Sequence, residues 1–194
     1  MSEDKVVRCA WLTKDPIYIS YHDEEWGRPE YNNQRLFEML CLEGQQAGLS
    51  WITILKKRDS YRKHFFKFNP YKIAKLKESD VKKLLCVSGI VKHKGKIESI
   101  INNAQCYKRM ENDGEDFSKF LWCFVNHKPI INKWSNSNQI PSQTVESEKL
   151  SKALKSKGFK YVGPTICYAF MQACGLVNDH LTTSIYRLGP SSLV

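Results

Sequence analysis

LSKALKSKGFKYVGPTICYAF, residues 150–170, is the stretch that decides the fold. Apolar side chains recur at spacings of three and four in its first part, which is typical of an amphipathic helix. Gly158 is a natural stop for that helix, and Gly163 followed by Pro164 is typical of a second helix start. The stretch therefore predicts a helix, a short glycine-bounded hairpin and a second helix, within about residues 150–174.

The hairpin between these helices has features of a phosphate-binding element. It can present unpaired backbone N–H groups and a helix N-terminus to a phosphate, while Lys157 and Lys160 add positive charge. Gly158 and Gly163 allow the backbone to come close to a ligand. An ordinary connection between two helices has the same local pattern, so both interpretations stay open at this point.

Helical periodicity also dominates the rest of the chain. Apolar spacings of three and four repeat at Ile97, Ile100, Ile101, Ala104 and Tyr107, and again at Phe117, Phe120, Leu121 and Phe124. Strand-type alternation is hard to find, so we predict an all-α fold. A chain of 194 residues with 42% hydrophobic content suits one core. We therefore expect residues 1–194 to form a single compact domain, with the polar stretch 126–147 as a surface connection.

The charge balance is strongly basic, with 30 Lys and Arg residues against 20 Asp and Glu and a formal charge of +10. Such a balance favours an anionic partner, although a lysine-rich solubilising surface produces the same count.

The first residues lack the pattern of a signal peptide, and no apolar run is long enough to span a membrane. The seven cysteines are odd in number and include no Cys-x-x-Cys pair. We expect a cytoplasmic protein whose cysteines are mostly reduced and buried.

One carboxylate lies where an apolar side chain is expected. If the segment from Leu36 to Trp51 is helical, Glu43 shares an apolar stripe with Leu36 and Leu40. A charge there is costly unless something uses it, so Glu43 is a candidate functional group. The alternative is that it caps a helix or pairs with a cation.

Aromatic residues are concentrated near the amino terminus, where Trp11, Tyr18, Tyr21 and Trp26 lie among polar neighbours. Core packing is the ordinary role of such side chains. Aromatic faces beside an acidic group can also enclose a planar cationic base through stacking and cation–π attraction.

Three long segments now converge on one family. YISYHDEEWG, FEMLCLEGQQAGLSWITILKKR and GFKYVGPTICYAFMQACGLVNDH resemble the signature segments of the 3-methyladenine DNA glycosylase I family, and the likeness runs from about Arg8 to His180. The resemblance implies a helix-hairpin-helix DNA glycosylase fold. It also implies a lesion base that is flipped out of double-stranded DNA into an aromatic pocket.

The resemblance assigns roles position by position. Glu43 matches the pocket carboxylate that hydrogen-bonds the base and favours its positive charge. Tyr21 and Trp51 match the residues that stack against the base. Trp11, Tyr18 and Trp26 match aromatic residues that line the same pocket. Gln46, Gly48 and Leu49 match a loop that wedges into the duplex. The stretch with Lys157, Gly158, Lys160 and Gly163 corresponds to the hairpin of the implied fold.

The family also has a structural zinc site, held by two Cys and two His. Cys9, His22 and His180 match three of these ligands, whereas Ser184 stands at the position of the fourth. Serine is a poor zinc ligand because its alkoxide is inaccessible near neutral pH. We therefore expect zinc to be absent or weakly held. Asp179, beside His180, is expected to serve that site and not to act as a catalytic carboxylate.

The implied function is that of a monomeric, monofunctional enzyme that hydrolyses the N-glycosidic bond of 3-methyladenine in alkylated DNA. None of the lysines matches a position that forms a Schiff base, as a lyase requires. Two alternatives remain. One is a non-catalytic helix-hairpin-helix DNA-binding module, and the other is a zinc hydrolase that uses Cys9, His22 and His180 with an open fourth position.

Overall fold

The computed structural model describes residues 8–184 and Tyr186, and across them the chain is built almost entirely of helices. The α-helices are α1 (Pro16–Glu24), α2 (Asn33–Gln46), α3 (Trp51–Leu55), α4 (Arg58–His64), α5 (Pro70–Ile73), α6 (Glu78–Leu85), α7 (Lys94–Asn112), α8 (Phe117–Trp122), α9 (Val145–Ser156) and α10 (Pro164–Ala173). Single 3₁₀ turns occupy Phe66–Phe68, Cys123–Val125 and Ser137–Gln139. Two short strands, β1 (Ile130–Ile131) and β2 (Val177–Asn178), pair in parallel. The predicted all-α class is confirmed.

Helix α2 runs through the middle of the core. Asn32 caps its first turn by accepting a hydrogen bond from the Arg35 amide at 3.0 Å. Every residue from Leu36 to Gln45 is buried, and the helix packs against α3, α7, α8 and α10. A helix buried on all faces belongs inside a core and not on its surface. The buried apolar side chains form one continuous cluster around it.

The helix stop predicted at Gly158 and the helix start predicted at Gly163 and Pro164 are both found in the structure, although the first helix begins at Val145 and not near residue 150. α9 ends at Ser156, and Gly158 follows with a φ of +89°, in the left-handed region that favours glycine. Gly163 precedes α10 as its N-cap residue, with Pro164 at the first helical position. α9 and α10 pack against each other. Residues 158–163 are called the hairpin below.

Helix α7 holds the hairpin in place through side-chain amides. The Asn102 amide nitrogen donates to the Gly158 carbonyl at 2.8 Å. Asn103 is buried and makes a two-way contact, donating to the Lys160 carbonyl at 3.0 Å and accepting from the Lys160 amide at 2.8 Å. Tyr161 packs so closely on α2 that a Cβ at Gly44 would lie 3.2 Å from it. The hairpin is therefore fixed to both α7 and α2.

The end of α10 is fastened to the segment that follows α1. The Gly27 amide donates to the Gln172 carbonyl, and the Glu30 amide donates to the Cys174 carbonyl, both at 3.0 Å. Gly175 has a φ of +68°, and a Cβ there would lie 2.3 Å from the backbone of Arg28. Only glycine allows this close approach.

A buried carboxylate joins the 126–147 connection to α10. Asp179 is fully buried and accepts hydrogen bonds from Asn132, Trp134 and Gln172, each at 2.7 Å, and from the Tyr168 hydroxyl at 2.5 Å. The connection is thus anchored through side chains and through the pairing of β1 with β2. None of the helices in residues 8–184 combines the length and apolar character that a membrane crossing requires.

Replacing Asp179 with alanine is expected to lower the free energy of unfolding by about 3 kcal/mol or more, because four donors, one of them buried and three partly buried, lose a shared charged acceptor. Urea unfolding measures the change. Asp59→Ala is the matched control, since the Asp59 side chain is 94% exposed. The control is expected to stay within about 0.5 kcal/mol of the unmodified protein. Equal losses in the two variants would contradict the anchoring role of Asp179.

Candidate functional site

A cavity of about 610 Å³ opens beside the carboxy-terminal half of α2. Its volume lies in the range of small-molecule binding sites. The lining residues come from five parts of the chain: Ala10, Trp11, Tyr18, Tyr21, Trp26, Glu43, Gln46, Trp51, Ser137, Ile140, Pro141, Ser142, Thr165, Tyr168, Ala169 and Gln172. All five aromatic residues predicted to bind a base therefore line one cavity together with Glu43.

Aromatic rings form much of the cavity wall. Trp11 packs against Tyr18 and Trp26, with ring centroids 4.9 and 5.3 Å apart, and Tyr21 lies 5.5 Å from Trp51. Helix α1 positions the two tyrosines, since residues three apart share one helix face. Its start is fixed by Asp15, whose carboxylate accepts a hydrogen bond from the Ile17 amide at 3.1 Å. The rings offer large flat apolar surfaces to a planar ligand.

Glu43 is the only acidic residue among those that line the cavity, and it is 3% exposed. Its Oε2 atom has no hydrogen-bond partner in the described part of the chain, and no ion pair is found for it there. Burial raises the pKa of its carboxyl to about 8, from an ordinary value of 4.5. The alternative that Glu43 caps a helix or pairs with a cation is therefore not what the structure contains.

The aromatic groups near Glu43 carry their protons at neutral pH. Burial, together with the nearby Glu43 carboxyl, raises the pKa of the Tyr18 phenol to about 12 and that of Tyr21 well above its ordinary value. Both phenols are therefore protonated at neutral pH. The Trp51 Nε1–H group is buried, and within residues 8–184 it finds no acceptor. A ligand that enters the cavity meets one acid, two protonated phenols and an unpaired indole N–H group.

The residues predicted to wedge into DNA lie at the end of α2, in the α2–α3 loop (residues 47–50). The helix stops at Gln46, which lines the cavity, so the segment up to Trp51 is not one continuous helix. Gly48 follows with a φ of +76°, and a Cβ there would meet nothing within 4 Å. Leu49 is 40% exposed. An apolar side chain thus projects into solvent beside the cavity mouth.

The predicted hairpin residues differ in what they offer to DNA. Lys160 is exposed, and Gly163 has open space where a Cβ would lie. The Lys157 ammonium instead lies 2.6 Å from the Glu115 carboxylate and 5.2 Å from the Phe120 ring centroid. Its charge is paired with that of Glu115 and is less available to a phosphate. The hairpin itself exposes backbone and one lysine.

Besides Ala10, two groups of lining residues were missed by the sequence reasoning. Ser137, Ile140, Pro141 and Ser142 belong to the 126–147 connection, which has no periodicity that marks a pocket wall. The second group lies on α10, at residues 165, 168, 169 and 172. Those positions follow the spacing of one helix face, so this signal was present in the sequence. Asp179 does not line the cavity, and its oxygens already accept four hydrogen bonds.

The candidate metal ligands lie together at a separate place. The His22 and His180 rings are 5.1 Å apart. The Nδ1 atom of His22 faces Asp23 at 2.8 Å, and that of His180 faces Asn178 at 3.0 Å. This orientation is typical of histidine ligands, which use the other nitrogen for the metal.

The ligand set around these histidines is incomplete. The Nε2 atom of His180 is buried without a partner among the described residues, whereas that of His22 accepts from the Cys9 amide at 3.4 Å. Cys9 and Ser184 are both buried. Within residues 8–184 no set of three His, Cys, Asp or Glu side chains is placed to hold a metal ion. The two histidines fit a metal, and a four-ligand set is not assembled.

Comparisons with known proteins agree with this geometry. The family model described as methyladenine glycosylase matches residues 11–187. DNA-3-methyladenine glycosylase 1 of Escherichia coli strain K12 is 58% identical over 174 residues, covering 90% of this chain and 93% of that protein. A crystal structure of 3-methyladenine DNA glycosylase I superimposes with a TM-score of 0.92 at 55% identity, covering 93% of this chain and 100% of the other.

A second solved structure, of 3-methyladenine DNA glycosylase I from Staphylococcus aureus, addresses recognition of 3-methyladenine. It matches with a TM-score of 0.90 at 42% identity, covering 92% of this chain and 95% of the other.

Glu43→Gln is expected to gain stability relative to the unmodified protein as the pH rises. Because the pKa of the Glu43 carboxyl is raised in the folded state, its contribution to the free energy of unfolding is fully present below pH 4.5. This contribution is lost as the pH rises through about 8. Glutamine does not ionise. The free energy of unfolding of the variant should therefore rise relative to that of the unmodified protein by up to about 1.4 kcal/mol per pH unit.

Urea unfolding at several pH values across this window measures the difference. Glu24→Gln, which changes an exposed carboxyl on α1, is the control. A stability difference for Glu43→Gln that stays constant with pH would show that the carboxyl is not held in an unpaired, buried state.

Proposed function

The chain belongs to the methyladenine glycosylase family, and we infer that it hydrolyses the N-glycosidic bond of 3-methyladenine in alkylated DNA. The observation that carries this inference is the unpaired carboxyl of Glu43 inside an aromatic cavity. Methylation at N3 gives adenine a formal positive charge while it is still attached to the sugar. A carboxylate between aromatic faces is the complement of such a flat cation.

The aromatic walls and Glu43 act on different properties of the base. The rings of Tyr21 and Trp51 present the surfaces that stack on it, and base–aromatic stacking contributes about 1–3 kcal/mol per base. Trp11, Tyr18 and Trp26 complete the enclosure. The positive base favours the ionised form of Glu43, so binding is coupled to loss of the carboxyl proton.

Hydrolysis of this bond needs little acid catalysis. The oxygen of a water molecule forms a bond to the sugar carbon, the carbon–nitrogen bond breaks, and its electron pair neutralises the departing base. The water proton is released to solvent. Since the base leaves as a neutral molecule, the site has mainly to hold it out of the duplex and stabilise its charge.

The substrate we propose is double-stranded DNA. The hairpin offers backbone N–H groups and the exposed Lys160 to a phosphate, and the net charge of +10 favours approach to a polyanion. Gln46, Gly48 and Leu49 are placed to enter the gap left by the flipped nucleotide, because inserted side chains offset part of the unstacking cost. We also propose that the protein acts as a monomer.

The two other candidate functions fit the molecule less well. A non-catalytic DNA-binding module has no use for a buried carboxyl in an aromatic cavity. A zinc hydrolase would place its chemistry at Cys9, His22 and His180, and none of these residues lines the cavity. We propose that zinc, where it binds, is structural and joins the start of the described chain to its end.

We further propose that the protein works in the cytoplasm. An enzyme that excises bases from DNA has to act in the compartment that holds the genome. All seven cysteines are free, and five of them are buried, which suits a reducing environment.

We expect the protein to release 3-methyladenine from methylated duplex DNA and to release 7-methylguanine far more slowly. Adenine presents an amino donor on the edge where guanine presents the O6 acceptor, and that acceptor repels a carboxylate. Chromatography of the released bases measures both rates. Glu43→Gln keeps the side-chain volume and removes the charge, so release by this variant should fall.

Comparable rates for the two bases would contradict recognition through Glu43, and no release would contradict the proposed function. The DNA strand should stay intact before alkaline treatment, because no lysine is found among the lining residues. An enzyme–DNA adduct trapped by borohydride would show the opposite.

The zinc proposal predicts little or easily removed zinc in the unmodified protein. Ser184→Cys supplies the thiolate that the family position calls for, so zinc content and melting temperature should rise together in this variant. Elemental analysis and thermal unfolding, each with and without chelator, measure both. Cys86→Ser, which changes an exposed thiol, is the control. Full zinc occupancy that resists chelation in the unmodified protein would show that another group completes the site.

A further inference from the structure

A buried lysine lies against the end of α2. Lys96, on the first turn of α7, is 6% exposed. Its ammonium donates to the Gln45 carbonyl at 2.7 Å and to the Ala47 carbonyl at 2.6 Å. Burial lowers the pKa of this ammonium. Lysine is seldom fully buried without a specific partner, so these two carbonyls account for its position.

The carbonyls that Lys96 contacts lie at the carboxy-terminal end of α2. The last carbonyls of a helix lack intrahelical partners and carry partial negative charge, which a cation stabilises. α2 ends at Gln46, and Ala47 leaves the helical conformation with a ψ of 116°. The local turn here is closed on the Gln46 carbonyl by the Leu49 amide, and the Lys96 ammonium supplies a donor from another helix to the carbonyls of Gln45 and Ala47.

The contact is reciprocal and extends into the core. The Gln45 side-chain amide donates to the Lys96 carbonyl at 2.9 Å, and the Tyr61 hydroxyl donates to the Gln45 side-chain oxygen at 3.2 Å. The Val91 amide in turn donates to the Tyr61 oxygen at 3.1 Å. A fully connected buried network of this kind rigidifies the groups that it joins.

The α2–α3 loop has few restraints besides this network. The Leu49 amide donates to the Gln46 carbonyl at 2.6 Å, while Leu49 itself is exposed and Gly48 has open space around it. Lys96 holds the loop at Ala47, two residues before Leu49. The direction in which the leucine projects therefore depends on where the ammonium fixes the Ala47 carbonyl.

We propose that Lys96 is a positioning residue for base extrusion, which holds the α2–α3 loop in the geometry that inserts Leu49 into the duplex. This proposal rests on the proposed function. The loop acts only where a base has to be drawn out of a stack, whereas an unpaired base reaches the cavity without it. Loss of the ammonium should therefore impair action on duplex DNA and spare binding of the free base.

Lys96→Met tests the proposal, because methionine keeps most of the apolar stem and removes the ammonium. Excision of 3-methyladenine from duplex DNA should fall about ten- to hundredfold, as expected for a misplaced group. Affinity for free 3-methyladenine, measured by quenching of tryptophan fluorescence, should be unchanged. Excision from a single-stranded oligonucleotide should fall much less than excision from duplex. Lys94→Met is the matched control, since it removes a charge from an exposed lysine on the same helix turn.

A double-mutant cycle with Leu49→Ala separates a role through the loop from a general structural role. If Lys96 acts through Leu49, Lys96→Met should add little further loss to duplex excision in the Leu49→Ala background. Should Lys96→Met fail to fold, Lys96→Gln replaces it in the cycle and keeps a hydrogen-bond donor on a shorter stem.

The outcomes distinguish failure of this proposal from failure of the proposed function. Losses of duplex excision that add up in the double variant, or a parallel loss of affinity for free 3-methyladenine, would overturn the proposal. Unchanged excision from duplex by the Lys96 variant would overturn it as well. Failure of the unmodified protein to release 3-methyladenine from duplex DNA would instead overturn the proposed function, and with it the premise of this inference.

Discussion

The burial of α2 on all its faces is the constraint on which the rest of the structure depends. Ten consecutive residues from Leu36 to Gln45 are removed from water, and each buried aliphatic side chain contributes about 1.5–3 kcal/mol. A helix packed in this way cannot rotate or slide without opening cavities in the core. Its rotation decides that Glu43 faces the aromatic cavity. Its end point decides that the α2–α3 loop emerges at the cavity mouth.

This constraint explains how an unpaired carboxyl is kept inside the protein. The apolar side chains of α2 hold the helix in the core, and Glu43 has to follow although its own desolvation is unfavourable. The carboxyl responds by keeping its proton up to a pH of about 8. Asp179 is equally buried but accepts four hydrogen bonds. The surroundings thus make Asp179 an anchor for the fold and leave Glu43 available to a cationic ligand.

Helix α7 serves as a common frame for the two elements assigned to DNA. Near its start, Lys96 fixes the end of α2 and the α2–α3 loop. Two turns further on, Asn103 fixes the hairpin through both polar groups of Lys160's backbone. Both contacts lie on one helix, so the spacing between loop and hairpin is set by the rise of that helix. Under the proposed function, a duplex held by the hairpin would meet the loop and the cavity at a fixed distance.

The sequence by itself determined those features that depend on neighbours along the chain. The spacing of apolar residues marked the helices, and Gly158 and Gly163 marked the limits of the hairpin, because helix stops and starts are local. Glu43 stood out because its position on an apolar stripe can be read from periodicity. The long family segments identified the aromatic residues that line the cavity.

Tertiary structure alone decided the features that depend on distant contacts. These are the wall at residues 137–142, the pairing of Lys157 with Glu115, the break of α2 at Ala47, and the approach of His22 to His180. Their partners are separated by long stretches of chain, and no local pattern records which groups meet when the core closes.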